Sequence, residues 1–197
     1  ANRLGSNSLI DLVVFGRAAG LRVAETVRPD SAVPSVTAAA EEMALSRLDR
    51  YRYADGDTPT SELRLQMQKT MQNNCAVFRT GEILEEGCSL ISQVHTGLPN
   101  VKVSDRSLVW NTDLMETMEF ENLLLQSLTT MYSAASRQES RGAHAREDYP
   151  DRDDDNWMKH TLAYVDESGK VRHDYRDVHA FTLSNEISYI APKARVY

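Results

Sequence analysis

Cysteines, long apolar runs and a basic excess are all missing or scarce in this 197-residue chain, and each shortage removes a class of protein. The two cysteines, Cys75 and Cys88, have neither metal-type spacing nor neighbouring thiols. They exclude a disulfide framework and predict two reduced, buried thiols. No apolar run approaches the ~20 residues that cross a bilayer; the longest, Leu9 to Phe15, is interrupted by Asp11. Acidic residues outnumber basic ones 29 to 22, for a net charge of −7, which argues against nucleic acid as a partner. Catalytic signatures are missing too: there is no G-x-G-x-x-G, phosphate loop, G-x-S-x-G or H-E-x-x-H. The chain by itself therefore lacks the parts of a complete enzyme. Its start has no basic n-region before an apolar core and no small-residue cleavage site, and reads as a cut inside a domain. Internal repeats and low-complexity tracts are absent.

What is present is a core-forming composition, 41% apolar, in a length that suits one domain or two small ones. From Leu9 to about Val27 apolar residues cover most of a helical circumference, as in a helix packed on several sides. The stretch "RPDSAVPSV" is a linker, and "AAAEEMALSRLDRYRYADGDTP" holds a short helix closed by an Asp-Gly turn. A second region starts at Thr60 or Ser61, with Glu62 in the first turn, where negative charge suits the helix dipole. Leu63, Met67, Met71 and Cys75 then share one face. Ile83, Gly87, Leu90, Ile91 and Val94 mark a second helix. Asp113 with Glu116 makes a capping box for a third, striped by Leu114, Met118, Leu125, Leu128, Tyr132 and Ala135. Short connections predict a three-helix bundle, with Met67, Met71, Met115, Met118 and Met131 as core filler. After Ser136 the chain becomes dense in charge, and "TLAYVDESGKVRHDYR" alternates around a turn, which is a β-hairpin signal. The tail holds weak strand-like pieces such as "EISYIAP". The fold class expected is mainly α, α+β overall, divided into a helix over 1–27, a linking stretch over 28–60, a bundle over 61–135 and a C-terminal region over 136–197 with a small antiparallel β element.

Two stretches carry potential chemistry. In "ANRLGSNSLIDL" a glycine turn leads into a helix start whose free N–H groups suit an anion, with Arg3 able to grip a carboxylate through two parallel hydrogen bonds. The competing reading makes Ser8 a plain helix cap and Arg3 a partner of an acidic side chain. "ESRGAHARED" reads as a structural ion-pair network around a glycine turn. Acid–base or metal chemistry is the alternative, although His144, Glu147 and Asp148 match no ligand pattern. The run "DYPDRDDD" lacks the glycine and closing glutamate of a calcium loop and reads as a solvated face.

The strings "ANRLGSNSLIDLVVFGRAAG", "TSELRLQMQKTMQNNCAVFRTG", "VWNTDLMETMEFENL" and "ESRGAHAREDYPDRDDDNWMKHTLAYV" resemble, in order, the C-terminal part of succinate dehydrogenase flavoproteins, in the succinate dehydrogenase/fumarate reductase family. The resemblance covers essentially the whole chain, and "NWMKHTL" and "MQKTMQNN" lean toward succinate dehydrogenase over fumarate reductase. It implies an oxidoreductase that oxidises succinate on FAD and passes electrons to an iron–sulfur subunit, and through it to membrane anchor subunits and quinone. The location it implies is peripheral, on the cytoplasmic face of a bacterial inner membrane or the matrix face of the mitochondrial one. Residues 1–27 then close an FAD-binding domain. Arg3 matches the family's substrate-carboxylate arginine, and Ser8 and Leu9 match its FAD-contacting residues. Arg141, His144 and Arg146 are expected to tie the helical region to the flavin domain or the iron–sulfur subunit. The family's dinucleotide motif, flavin-linking histidine, proton-transferring arginine and substrate histidines belong ahead of residue 1, so the segment alone is expected to bind no FAD and turn nothing over. A non-catalytic helical interaction module is the reading from another class.

Overall fold

The computed structural model describes residues 7–182 and 184–191. Arg3 and the glycine turn lie outside the described residues, as does the side chain of Ser8. The chain divides into two compact units, Ala1–Arg50 and Tyr51–Tyr197.

The first unit is built on helix α1, Asn7–Thr26, and most of α2, Ala38–Arg52. A tight turn follows α1, with Ser31 N–H and hydroxyl both donating to the Arg28 carbonyl and Asp30 at φ 62°. Thr37 opens α2, its carbonyl and hydroxyl accepting from the first free N–H groups. The all-round apolar surface of α1 predicted close packing on several sides. Instead, every residue from Leu9 to the end of α1 is exposed, Val13 to 69%. Among the described residues nothing supplies the cover that this surface calls for.

The second unit is a helical bundle carrying a hairpin. Helices α3, Thr60–Asn74, α4, Gly81–Gly97, and α5, Thr112–Ser136, pack on one another. A two-residue parallel pairing of β1, Thr58–Pro59, with β2, Val101–Lys102, joins the entry to α3 to the exit from α4. The core comprises Leu63 and Met67 of α3, Leu84, Ile91 and Val94 of α4, and Leu114, Phe120, Leu124, Leu128 and Met131 of α5. The helices approach most closely at Gly87, where an added Cβ would sit 2.7 Å from Asn74 Cβ and from Met131 Sδ.

Several expected details shift. The buried meridian of α5 runs through Thr117, Phe120, Leu124, Ser127 and Met131, leaving Met118, Leu125, Tyr132 and Ala135 on its flanks. Thr117 is tolerated there because its hydroxyl bonds Thr60 across the interface at 2.6 Å. On α4, Leu84 rather than Ile83 is the core residue. Met115, expected in the core, is exposed. The expected capping box is replaced by Asn111, whose side-chain oxygen accepts from Leu114 N–H at 2.8 Å. Asp113 instead accepts from Ser104 and Asp105 N–H and braces the preceding loop.

After α5 comes an irregular charged segment with a short helix, α6, Asp154–Trp157. Strands β3, Lys159–Val165, and β4, Val171–Asp177, pair antiparallel where the hairpin was expected, Val165 opposite Val171. Asp166 organises the turn by accepting from Ser168 and Lys170 N–H. The hairpin lies against α5, where His173 meets Ser133 and Tyr175 meets Ser136.

Candidate functional site

The charged segment after α5 folds into a connected network that finishes the ends of the helices. Arg146 is almost fully buried. Its Nη1 donates to the carbonyls of Ala134, Ala135 and Arg137, which the end of α5 leaves without helical partners. Its other face makes two 2.7 Å bonds to Asp148, and Asp148 accepts in turn from Gly81 N–H at the start of α4. One ion pair thus places its cation at a helix C-terminus and its anion at a helix N-terminus, where the macrodipoles favour each. The guanidinium bonds, with help from Gly81 N–H, hold the Asp148 carboxyl far below the usual carboxylate range.

Glu139 is the second node and is wholly buried. Arg141 grips both its oxygens, at 2.8 and 2.9 Å; Arg137 donates to Oε1 and Asp153 N–H to Oε2. Burial alone would raise its pKa, but these donors outweigh burial and keep the group below its ordinary value. Between the arginines, Gly142 at φ 60° makes a two-residue turn, closed by paired bonds between Arg141 and His144. His144 is held at both nitrogens: Nδ1 meets Arg79 Nη1 at 2.8 Å and Nε2 meets the Arg137 carbonyl at 3.1 Å. The assignment that satisfies both puts the proton on Nε2. Burial, with the neighbouring arginines, lowers its pKa and keeps the ring neutral.

These residues form one wall of an open cleft of about 800 Å³ between the polar side of α5 and the start of β3. Arg137 extends from the network into it, donating to the Trp157 and Lys159 carbonyls and to Thr161 Oγ1, with its guanidinium 5.1 Å from the Trp157 ring centre. On the same ring, Lys159 Nζ lies 5.1 Å from the centroid, and it lies 4.3 Å from that of Tyr175.

The structure therefore brings Arg141, His144 and Arg146 together as a network, with Arg141 and His144 facing the cleft and Arg146 sealed behind. Leu9 lies in the first turn of α1, in the other compact unit. Sequence reasoning included Glu139 in the ion-pair stretch without marking it as a node, and missed Arg137, Arg79, Trp157 and Lys159. The arginines two residues either side of Glu139 were the available signal for Glu139 and Arg137. Among the described residues no group of three His, Cys, Asp or Glu side chains converges as a metal site.

Comparison with known proteins adds the family. The model described as "Fumarate reductase flavoprotein C-term" matches residues 64–197. The succinate dehydrogenase flavoprotein subunit of Rickettsia bellii is 55% identical over all 197 residues, which are 33% of its length. The mitochondrial succinate dehydrogenase [ubiquinone] flavoprotein subunit of Oryza sativa is 56% identical, over 100% of this chain and 31% of its own. A solved E. coli quinol fumarate reductase chain superposes with a TM-score of 0.80 at 39% identity, covering 93% of this chain and 32% of that one. The chain thus spans about a third of the length of the relatives it matches. With a family model matching residues 64–197 and a superposition covering 93% of the chain, the chain belongs to the succinate dehydrogenase and fumarate reductase flavoprotein family.

Proposed function

We propose that the chain is the C-terminal part of a flavoprotein that oxidises succinate to fumarate on FAD and passes the electrons through an iron–sulfur subunit to quinone. The observation that carries this reading is the end-to-end match, at 55–56% identity, to succinate dehydrogenase flavoproteins. Fumarate reduction is the second reading, supported by the superposition on a quinol fumarate reductase at 39% identity. The same contacts serve both directions.

The residues present fit an FAD. The first turn of α1 carries no acidic side chain, so no such charge neutralises its positive end. FAD, when bound, supplies the hydride-accepting ring. Ser8 and Leu9, at the start of α1, would meet that ring, and the helix end favours negative charge there by about 0.3–1 kcal/mol, more when partly buried. Arg3 would grip one substrate carboxylate with both guanidinium nitrogens and fix the direction of the C–H bond to be broken. Arg141 and His144, stiffened from behind by Arg146, would present the helical region to the flavin domain or the iron–sulfur subunit. The assembly would be peripheral to a membrane, reached through anchor subunits; no helix among the described residues is long and apolar enough to cross one.

The test is Arg3→Lys in the full-length flavoprotein. Loss of the two-pronged grip is expected to lower kcat/KM for succinate at least about 30-fold, equivalent to about 2 kcal/mol; an unchanged kcat/KM would sink the assignment. For the interface, Arg141→Ala in the intact complex is expected to reduce assembly or FAD content. Normal assembly, FAD content and activity together would refute that role.

A further inference from the structure

Among the described residues, the cleft beside α5 holds two cations, Arg79 and Lys159, that make no ion pair. None of its lining residues is acidic, in a chain whose net charge is −7. Arg137 and Arg141 share Glu139, and Arg141 also meets Asp154. Arg79 is different: its Nε, Nη2 and Nη1 meet the Ala76 carbonyl, the Cys75 carbonyl and the neutral His144 ring, which leaves one further N–H on each terminal nitrogen. Lys159 rests on two aromatic rings, and Asp177, opposite it in the strand register, makes no ion pair with it. Both cations are therefore fixed in place before any ligand arrives, one by the end of α3 and one by β3. That is preorganisation for an anion rather than a pair of loose surface charges.

A polar stripe on α5, Gln126, Thr129, Thr130 and Ser133, at the i, i+3, i+4, i+7 spacing of one helix face, lines the same cleft. We propose that the cleft is a docking site for a short, carboxylate-bearing, extended polypeptide segment of a protein partner, with Arg79 and Lys159 taking its carboxylates and the α5 stripe facing its backbone. Three observations favour this occupant. A volume near 800 Å³ is far larger than a single small diacid fills. The charges come from separate elements, which suits a ligand that extends between them. The surrounding net negative charge repels a long polyanion and leaves only a local positive focus. The inference uses none of Arg3, Ser8 or Leu9 and so stands apart from the succinate reading; it shares the Arg141 and His144 wall with the interface proposed above, but rests on Arg79 and Lys159.

Binding of an eight-residue Gly/Ser peptide carrying two glutamates and an uncharged fluorophore to the full-length protein, followed by fluorescence anisotropy, tests it. Saturable binding that weakens with rising ionic strength is expected. Lys159→Gln is expected to weaken it about tenfold or more and Lys159→Arg to retain it. Thr130→Glu places a carboxylate at an exposed residue that lines the cleft, and is expected to weaken binding to a similar degree. Thermal melts and flavin content, unchanged in the variants, separate lost docking from lost folding. If Lys159→Gln proves unstable, Thr130→Glu alone decides. No saturable binding, or full affinity in both Lys159→Gln and Thr130→Glu, would overturn the proposal. Displacement by succinate or inorganic phosphate as effective as by unlabelled peptide would overturn it equally, by making the cleft a small-anion site. None of these outcomes depends on turnover, so failure here leaves the flavoprotein reading untouched.

Discussion

Glu139 carries more of the C-terminal region than its place in an irregular segment suggests. It is wholly buried and accepts from Arg137, Arg141 and the Asp153 N–H. Glu139→Ala would leave two arginines with no buried counter-charge, and a loss of about 3–5 kcal/mol is expected by chemical denaturation. A loss under 1 kcal/mol would mean that solvent replaces the carboxylate readily. His144 sets a second residue-scale expectation. Its folded pKa is lowered, so the unfolded chain binds the proton more tightly, and stability is complete above about pH 6.5 and declines as the pH falls through the folded value. The lowered carboxyls of Glu139 and Asp148 act in the same sense at lower pH, below about 4. Melting temperature measured against pH should therefore fall in two stages. His144→Gln should flatten the first, although His173, also lowered by burial, keeps part of it. The thiols follow the same physics: burial, then the neighbouring Cys75 and Glu85, pushes Cys88 up to about 11. Slow alkylation at pH 8 is expected in the native state and fast alkylation in urea.

At the scale of the element, Asn111 and Gly87 are the positions where one atom decides a packing arrangement. Asn111 caps α5 and donates from its amide to the Asp105 and Ser107 carbonyls. Asn111→Ala is expected to cost about 1–2 kcal/mol, the upper end because the loop loses its tie as well. Gly87→Ala forces a methyl group against Asn74 Cβ and should cost about 1–3 kcal/mol, read as a lower denaturant midpoint with unchanged slope. Helices α3 to α5 and the hairpin were legible because apolar periodicity and an Asp-Glu-Ser-Gly turn are local signals. The burial of Thr117 and Ser127 was not, because polar residues in the core break the stripe; Thr117 is satisfied by Thr60 and the Asp113 carbonyl, and Ser127 by the Leu123 carbonyl. The cap of α5 was misplaced for a similar reason. Asp113 has the right spacing to Glu116, but its carboxylate is already engaged by the loop before it. The ion-pair reading of "ESRGAHARED" agrees with the network. Its contact with the start of α4, 67 residues away, could not be read locally.

On the scale of the whole molecule, the two compact units pose different physical problems. Tyr51–Tyr197 buries a core of its own, whereas α1 presents Leu9, Leu12, Val13, Phe15 and Leu21 to solvent. The segment of residues 1–197 expressed alone is therefore expected to self-associate, and a monodisperse monomer by light scattering would contradict that. It is also expected to be colourless; a yellow, succinate-oxidising preparation would contradict the reading that the flavin site needs further sequence. The most direct measurement is succinate-driven loss of flavin absorbance in the full-length protein, with and without Arg3→Lys. The account predicts bleaching by succinate, blocked by malonate, and slowed at least about 30-fold at limiting succinate by the substitution. No bleaching by succinate, or equal bleaching by both proteins, would contradict it.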